Sequence, residues 1–277
     1  MKRVFVLVAA LVLTASAGAA QASTASTAST HTPTGAIVID DATIPVPGLP
    51  PVHAWIVHPA HPTTHAYAGV LFLHWLGQIN SDRDEFLAEA ITLAHRGVVA
   101  VLPQGTFPYT VDPAGTSADV AAVQHQLDAY RAALRTLFDR QDVDAARVAL
   151  VGHDYGAMYG SLLVDRDHRI RTAVLATPDA TWGNWFITYW HPELPASYAD
   201  QFAALDPVGH LARLGPHLLL QFAGQDIYID TATRGRLTAA APRAVVDFYP
   251  NADHQLTDTA RTDRDAFLAT GLNLPPD

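Results

Sequence analysis

Val148-Ala-Leu-Val-Gly152-His-Asp154-Tyr-Gly156-Ala-Met-Tyr-Gly160 is the stretch that decides the fold. A short continuous apolar run bounded by glycine reads as a strand buried on both faces. It passes through Gly152-x-x-x-Gly156 straight into a segment that continues as a helix from Ala157 towards Val164. Two glycines allow a tight turn and close packing of helix on strand. The turn pushes its tip residue, Asp154, up at the carboxyl edge of the sheet. The helix that follows presents backbone N–H groups without internal partners, and these favour negative charge.

Working outward, the same alternation recurs. Apolar strands are expected at Gly69–His74, Val98–Leu102, Arg147–Val151, Thr172–Ala176, His217–Phe222 and Ala244–Phe248. Helical spacing is expected over Arg83–Arg96, ended by Gly97, and over Ser117–Phe138, Asp206–Leu214, Thr231–Ala240 and Asp258–Thr270. Two short strands, Ala36–Ile39 and Val52–His58, form an antiparallel lead-in bounded by turns at Pro45, Pro47, Pro50 and Pro51. Strands alternating with helices imply an α/β fold: a mainly parallel, doubly wound sheet with helices on both faces.

On the Gly152-His153-Asp154-Tyr155-Gly156 elbow in this context, the chain resembles the α/β-hydrolase fold family over residues 36–277. Asp154 stands where Ser is usual, as in members that resemble haloalkane dehalogenases and epoxide hydrolases. The resemblance implies that Asp154 attacks carbon, forms an ester, and is freed by a His-activated water. An aspartate carboxylate is ionised at neutral pH and needs no base for the first step. The bland reading of Asp154 is a helix-capping acid, or a replacement in a binding protein that lost its Ser.

The family's chain order supplies the partners. Asp226 follows the strand ending at Phe222 in Ala223-Gly224-Gln225-Asp226, and His254 follows the last strand in Tyr249-Pro250-Asn251-Ala252-Asp253-His254. The implied roles are His254 as base and Asp226 as the acid that orients and stabilises its imidazole. Asp179 is the competing acid. Leu73-His74-Trp75-Leu76-Gly77 resembles the oxyanion loop, with Trp75 where Gly is usual. By carry-over, the backbone N–H groups of Trp75 or Leu76, and of Tyr155, hold the oxyanion, or the Trp75 indole donates to a leaving group.

Residues 177–205 leave room only for a short lid, but it is aromatic. Together with His74, the residues Trp182, Trp185, Phe186 and Tyr189 are expected to wall an apolar substrate pocket. Tyr189 or Tyr198 is a candidate to polarise an epoxide oxygen. The compact build and the Gly-Gln-Asp and Asp-His endings are closer to dienelactone hydrolases, whose elbow carries Cys or Ser. The reading is therefore a hydrolase of a small, largely apolar substrate, epoxide or carbon–halogen bond first, ester or lactone as the alternative, with no cofactor.

Composition bounds the rest. The 277 residues are 49 % hydrophobic and 16 % charged, with no Cys, which excludes disulfides, thiolate metal sites and a cysteine nucleophile. A formal charge of −10 argues against nucleic acid as partner. Met1-Lys2-Arg3, an apolar run over Val4–Leu13 and Ala20-Gln21-Ala22 read as a secretory signal peptide over residues 1–22, implying a secreted protein without a membrane anchor after cleavage. Residues 23–35, rich in Ser, Thr and Ala, read as a linker. His53, His58, His61 and His65 lie in Pro-broken segments and read as solvated histidines, so no metal site is expected. Oligomeric state is left open.

Overall fold

The computed structural model describes residues 35–60, 66–77 and 81–275. The signal peptide, all of the linker except Gly35, His61 and His65 lie outside the described residues. Gly35 onward forms one compact unit. Its eight strands are β1 (Ile37–Val46), β2 (Leu49–Pro59), β3 (Tyr67–Leu73), β4 (Val98–Pro103), β5 (Val143–His153), β6 (Thr172–Ala176), β7 (Leu218–Ala223) and β8 (Val245–Tyr249). They make one sheet in the order β1-β2-β4-β3-β5-β6-β7-β8. β1, β2 and β4 pair antiparallel, and every other pairing is parallel. The α/β expectation holds.

The central strands are apolar at consecutive positions because both faces are covered. In β3, Leu71 and Leu73 face one core while Val70 and Phe72 face the other. The first core is closed by α2 (Ala118–Asp139) and α3 (Tyr155–Arg166), through Val123, Leu127, Leu134, Met158 and Leu162. The second is closed by α1 (Leu87–His95) and the C-terminal helix, through Ala90, Leu93 and Leu268. Each such side chain removed from water contributes about 1.5–3 kcal/mol. Gly97 ends α1 at φ +82°, a left-handed position that favours glycine.

Two expectations need correction. The lead-in strands are longer than expected and form a hairpin through Pro47-Gly48, with Gly48 at φ +75°. Pro45, Pro50 and Pro51 do not end the strands, because they fall at a register shift between Ile44 and Val46 where the ladder needs no N–H. The expected helix Asp206–Leu214 is only a 3₁₀ turn, Pro207–Gly209. Asp206 accepts the Trp182 N–H at 2.9 Å and Val208 donates to the Ala180 carbonyl, so the segment caps its neighbour instead of continuing. The expected lid is two helices, α4 (Trp182–Tyr189) and α5 (Ala196–Asp200). α6 (Thr231–Ala240) and α7 (Asp258–Gly271) complete the fold. Among the described residues no helix is long and apolar enough to cross a membrane.

Candidate active site

β5 runs through His153 and α3 begins at Tyr155, so Asp154 alone makes the turn, at φ 53°, ψ −118°. That conformation costs a residue with a Cβ on the order of 1–3 kcal/mol and persists only where the surroundings over-determine it. They do so here by close approach. A Cβ on Gly156 would lie 2.0 Å from the Leu73 carbonyl oxygen, and one on Gly152 would lie 2.4 Å from the Gly156 carbonyl oxygen. The start of α3 is thus pressed onto the end of β3, which brings the loop after β3 over the elbow.

Three loops at the carboxyl edge of the sheet meet there. Asp154 is 3 % exposed and His254 7 %. Leu76 N–H donates to Asp154 Oδ2 at 3.1 Å. Asp154 Oδ1 makes no hydrogen bond and lies 3.6 Å from His254 Nε2, an ion-pair contact. His254 Nδ1 donates to Asp226 Oδ2 at 2.9 Å. The other Asp226 oxygen accepts the N–H groups of Tyr228 and Ile229 at 2.9 and 3.0 Å. The acid, base and elbow residues named from the sequence therefore converge. Asp179 does not hold the imidazole. Its Oδ1 accepts the Thr181 N–H, and burial pushes its pKa up to about 6.

Burial opposes a charged His254, but the Asp154 and Asp226 carboxylates outweigh it and carry the imidazole up to about 9. For Asp226, burial works upward, yet the His254 contact and the two N–H groups hold the carboxyl below its ordinary value.

The loop after β3 differs from expectation at Trp75. Its backbone N–H is taken by Glu85 Oε2 at 2.6 Å, leaving Leu76 as the loop's donor to Asp154. The Trp75 indole stacks on His153 with centroids 5.0 Å apart and planes 8° apart. Tyr155 supplies the first residue of α3. Its buried hydroxyl accepts from the Trp185 and Trp190 indoles.

The residues expected to wall a pocket divide between the core and the surroundings of His254. Trp182 and Phe186 are fully buried and pack against Tyr155, Tyr159 and Phe202, because α4 turns that face to the core. His74 is also spent on structure: it donates to the Trp75 carbonyl and accepts the Gly105 N–H. Tyr198 donates to Asp119. What reaches the site is a chain of rings. Tyr189 packs on Trp185 at 4.4 Å, both touch Tyr228, and Tyr228 meets the His254 ring edge-on at 5.0 Å. Tyr228 was not expected, and its place two residues after Asp226 was the available signal. Glu85, which ties Trp75 to His153, carries no signal in the sequence.

His53 and His58 are engaged locally, His58 with Asp40 at 3.1 Å. Among the described residues no group of three or more His, Asp or Glu is placed to hold a metal ion.

No protein-family model matches the chain, and no curated protein does. Solved structures do. A protein described as a dienelactone hydrolase from Klebsiella pneumoniae is 15 % identical, covering 86 % of this chain and 99 % of its own, with TM-score 0.62. Acetyl xylan esterase from Paenibacillus sp. R4 is 17 % identical, covering 88 % and 87 %, with TM-score 0.65. A Pyrococcus furiosus esterase is 14 % identical, covering 85 % and 92 %, with TM-score 0.60. At these identities the likeness shows the fold alone. With its eight-stranded, mostly parallel sheet and its elbow at the end of β5, the chain has the α/β-hydrolase fold.

Proposed function

We propose that this protein is a hydrolase of a small, largely apolar substrate, with Asp154 as nucleophile, His254 as base and Asp226 as the acid behind it. One observation carries the proposal: Asp154 keeps Oδ2 on the Leu76 N–H and leaves Oδ1 unbonded beside His254. In serine hydrolases such a loop N–H serves the substrate's carbonyl oxygen. Here the nucleophile's own oxygen occupies it, so the oxyanion it serves is one formed on Asp154.

The chemistry follows. Asp154 Oδ1 bonds to a saturated carbon while that carbon's bond to a halide or epoxide oxygen breaks, the electron pair leaving with that atom. Water then attacks the Asp154 carbonyl carbon, and His254 Nε2 takes its proton. The negative charge that develops on Oδ2 faces the Leu76 N–H. Collapse breaks the Cγ–Oδ1 bond, and the departing alkoxide takes the proton back from His254 and leaves as an alcohol that carries the original Oδ1.

The second reading is hydrolysis of an ester or lactone, with Asp154 and His254 supporting water attack on a carbonyl. The compact build and the esterase and dienelactone hydrolase descriptions of similar structures speak for this reading more than for the first. A substrate panel separates them: a terminal epoxide, a primary alkyl halide, an aryl ester and a lactone, each with the native enzyme and with Asp154→Asn. Turnover of the epoxide or halide, lost in the variant, supports the first reading. Turnover of the ester or lactone alone supports the second. The proposal includes export, on the N-terminal sequence, and N-terminal sequencing of the secreted protein tests it.

A further inference from the structure

Glu85 and His153 join the parts of the site from behind. Glu85 Oε2 accepts the N–H of Trp75, next to the oxyanion donor Leu76, at 2.6 Å. Glu85 Oε1 lies 2.6 Å from His153 Nδ1. His153 Nε2 donates to the backbone carbonyl of His254 at 2.9 Å. Their side chains are only 15 % and 6 % exposed. Both ring nitrogens of His153 face acceptors, a carboxylate and a carbonyl, so the ring bridges Glu85 and the His254 loop. The Trp75 indole lies flat on His153 and is 6.3 Å from the His254 ring, which closes the assembly.

Nothing in the proposed chemistry calls on these groups directly. Neither hydrogen-bonds Asp154 or Asp226: besides each other they bond backbone, on the loop that carries the donor and the loop that carries the base, and the His153 ring stacks on the His254 ring with centroids 5.4 Å apart. The turn that places Glu85 is itself fixed from the hairpin side. Arg83 pairs with Asp41 at 2.6 Å, and the Trp55 indole donates to Asp84. Hence α1 begins at Leu87 although helical spacing starts at Arg83.

We infer that Glu85 and His153 are positioning residues that hold the Leu76 N–H and the His254 imidazole in register around Asp154. The inference rests on the site proposed above. It requires that loss of the clamp releases His254 from the carboxylates that face it, Asp154 and Asp226, and that ring contacts alone, with Tyr228, Trp75 and the ring at position 153, do not hold it.

The test is a histidine NMR titration of His254, its signal assigned with His254→Gln, in the native protein, in Glu85→Gln and in His153→Phe. Glu85→Gln keeps the shape. His153→Phe keeps the ring on Trp75 and removes both hydrogen bonds. With either variant folded by thermal melt, the account expects His254 to titrate well below its native value of about 9, towards the ordinary 6.5. It also expects kcat to fall at least about ten-fold while KM stays within about two-fold. A His254 titration unmoved in a folded variant overturns the inference, whatever happens to kcat, because a merely structural pair would leave it there. If one variant does not fold, the other decides. The titration needs no turnover, so it stands apart from the covalent step, whose failure is read from the substrate panel and from the absence of an Asp154 adduct.

Discussion

Leu76 N–H and Asp154 Oδ2 are 3.1 Å apart, and this bond divides the carboxylate into two oxygens with different prospects. One is tethered where, on the proposed mechanism, charge develops when an ester on Asp154 is hydrolysed. The other is buried, unbonded and 3.6 Å from His254 Nε2. The asymmetry is built by the fold, since the oxyanion loop follows β3, the elbow follows β5, and Gly156 lets the two strands' ends meet.

The division of labour predicts where the reaction stalls. On the proposed mechanism His254 serves the second step, so His254→Gln should permit attack and block hydrolysis. Intact-mass measurement after incubation with a turned-over epoxide or alkyl halide should show one substrate-derived adduct per chain, mapped by peptide digestion to Asp154. An unmodified chain contradicts the assignment.

The pH dependence has a sign. In the free enzyme His254 is held up at about 9 by two carboxylates. Esterified Asp154 carries no charge, so one of the two is lost and the base is freed at a lower pH. The kcat profile should therefore rise with a limb below 9, and a limb at 9 or above contradicts it. Stability follows the same shift. A folded-state value raised from 6.5 stabilises fully below 6.5 and loses that stabilisation as pH rises through 9. The amount is about 3 kcal/mol, at about 1.4 kcal/mol per pKa unit. Melting temperature should fall across that window, and fall less in Asp154→Asn.

Gly156 has no room for a methyl group. A Cβ there would meet the Leu73 carbonyl at 2.0 Å, backbone against backbone, where no rotamer relieves the clash. Gly156→Ala should cost about 3 kcal/mol or more, or prevent folding. Gly235→Ala, where nothing lies within 4 Å, should stay within about 0.5 kcal/mol by thermal melt.

Arg264 on α7 makes a bidentate pair with Glu89 on α1 and reaches Gln221 on β7, all of it buried. Removing one partner strands the other's charge. Glu89→Ala should cost about 3–5 kcal/mol, while Glu89→Leu combined with Arg264→Met should cost less than the single change. Chemical denaturation of the variants measures both.

What was legible in the sequence follows from how local each signal is. The buried strands and the long α2 announce themselves by composition and period, and the elbow by two glycines at a fixed spacing. Asp226 and His254 were legible because each stands just after a strand. The pocket wall was not, because aromatic residues on α4 serve the core and the site alike, and only packing decides which face Trp182 or Trp185 turns. Asp206–Leu214 reads as helix by spacing, but the Asp206 carboxylate is committed to the start of α4 and the Val208 N–H to Ala180 before it. Glu85 was invisible, since its meaning lies in two contacts brought together from residues 75 and 153.

The most direct test of the central claim is a single turnover in heavy-oxygen water, with enzyme in excess over a substrate it hydrolyses. If Asp154 is the nucleophile, the label enters the Asp154 carboxylate and the product alcohol carries unlabelled oxygen, read by mass spectrometry of the Asp154 peptide and of the product. Label in the product, with none in Asp154, contradicts the account.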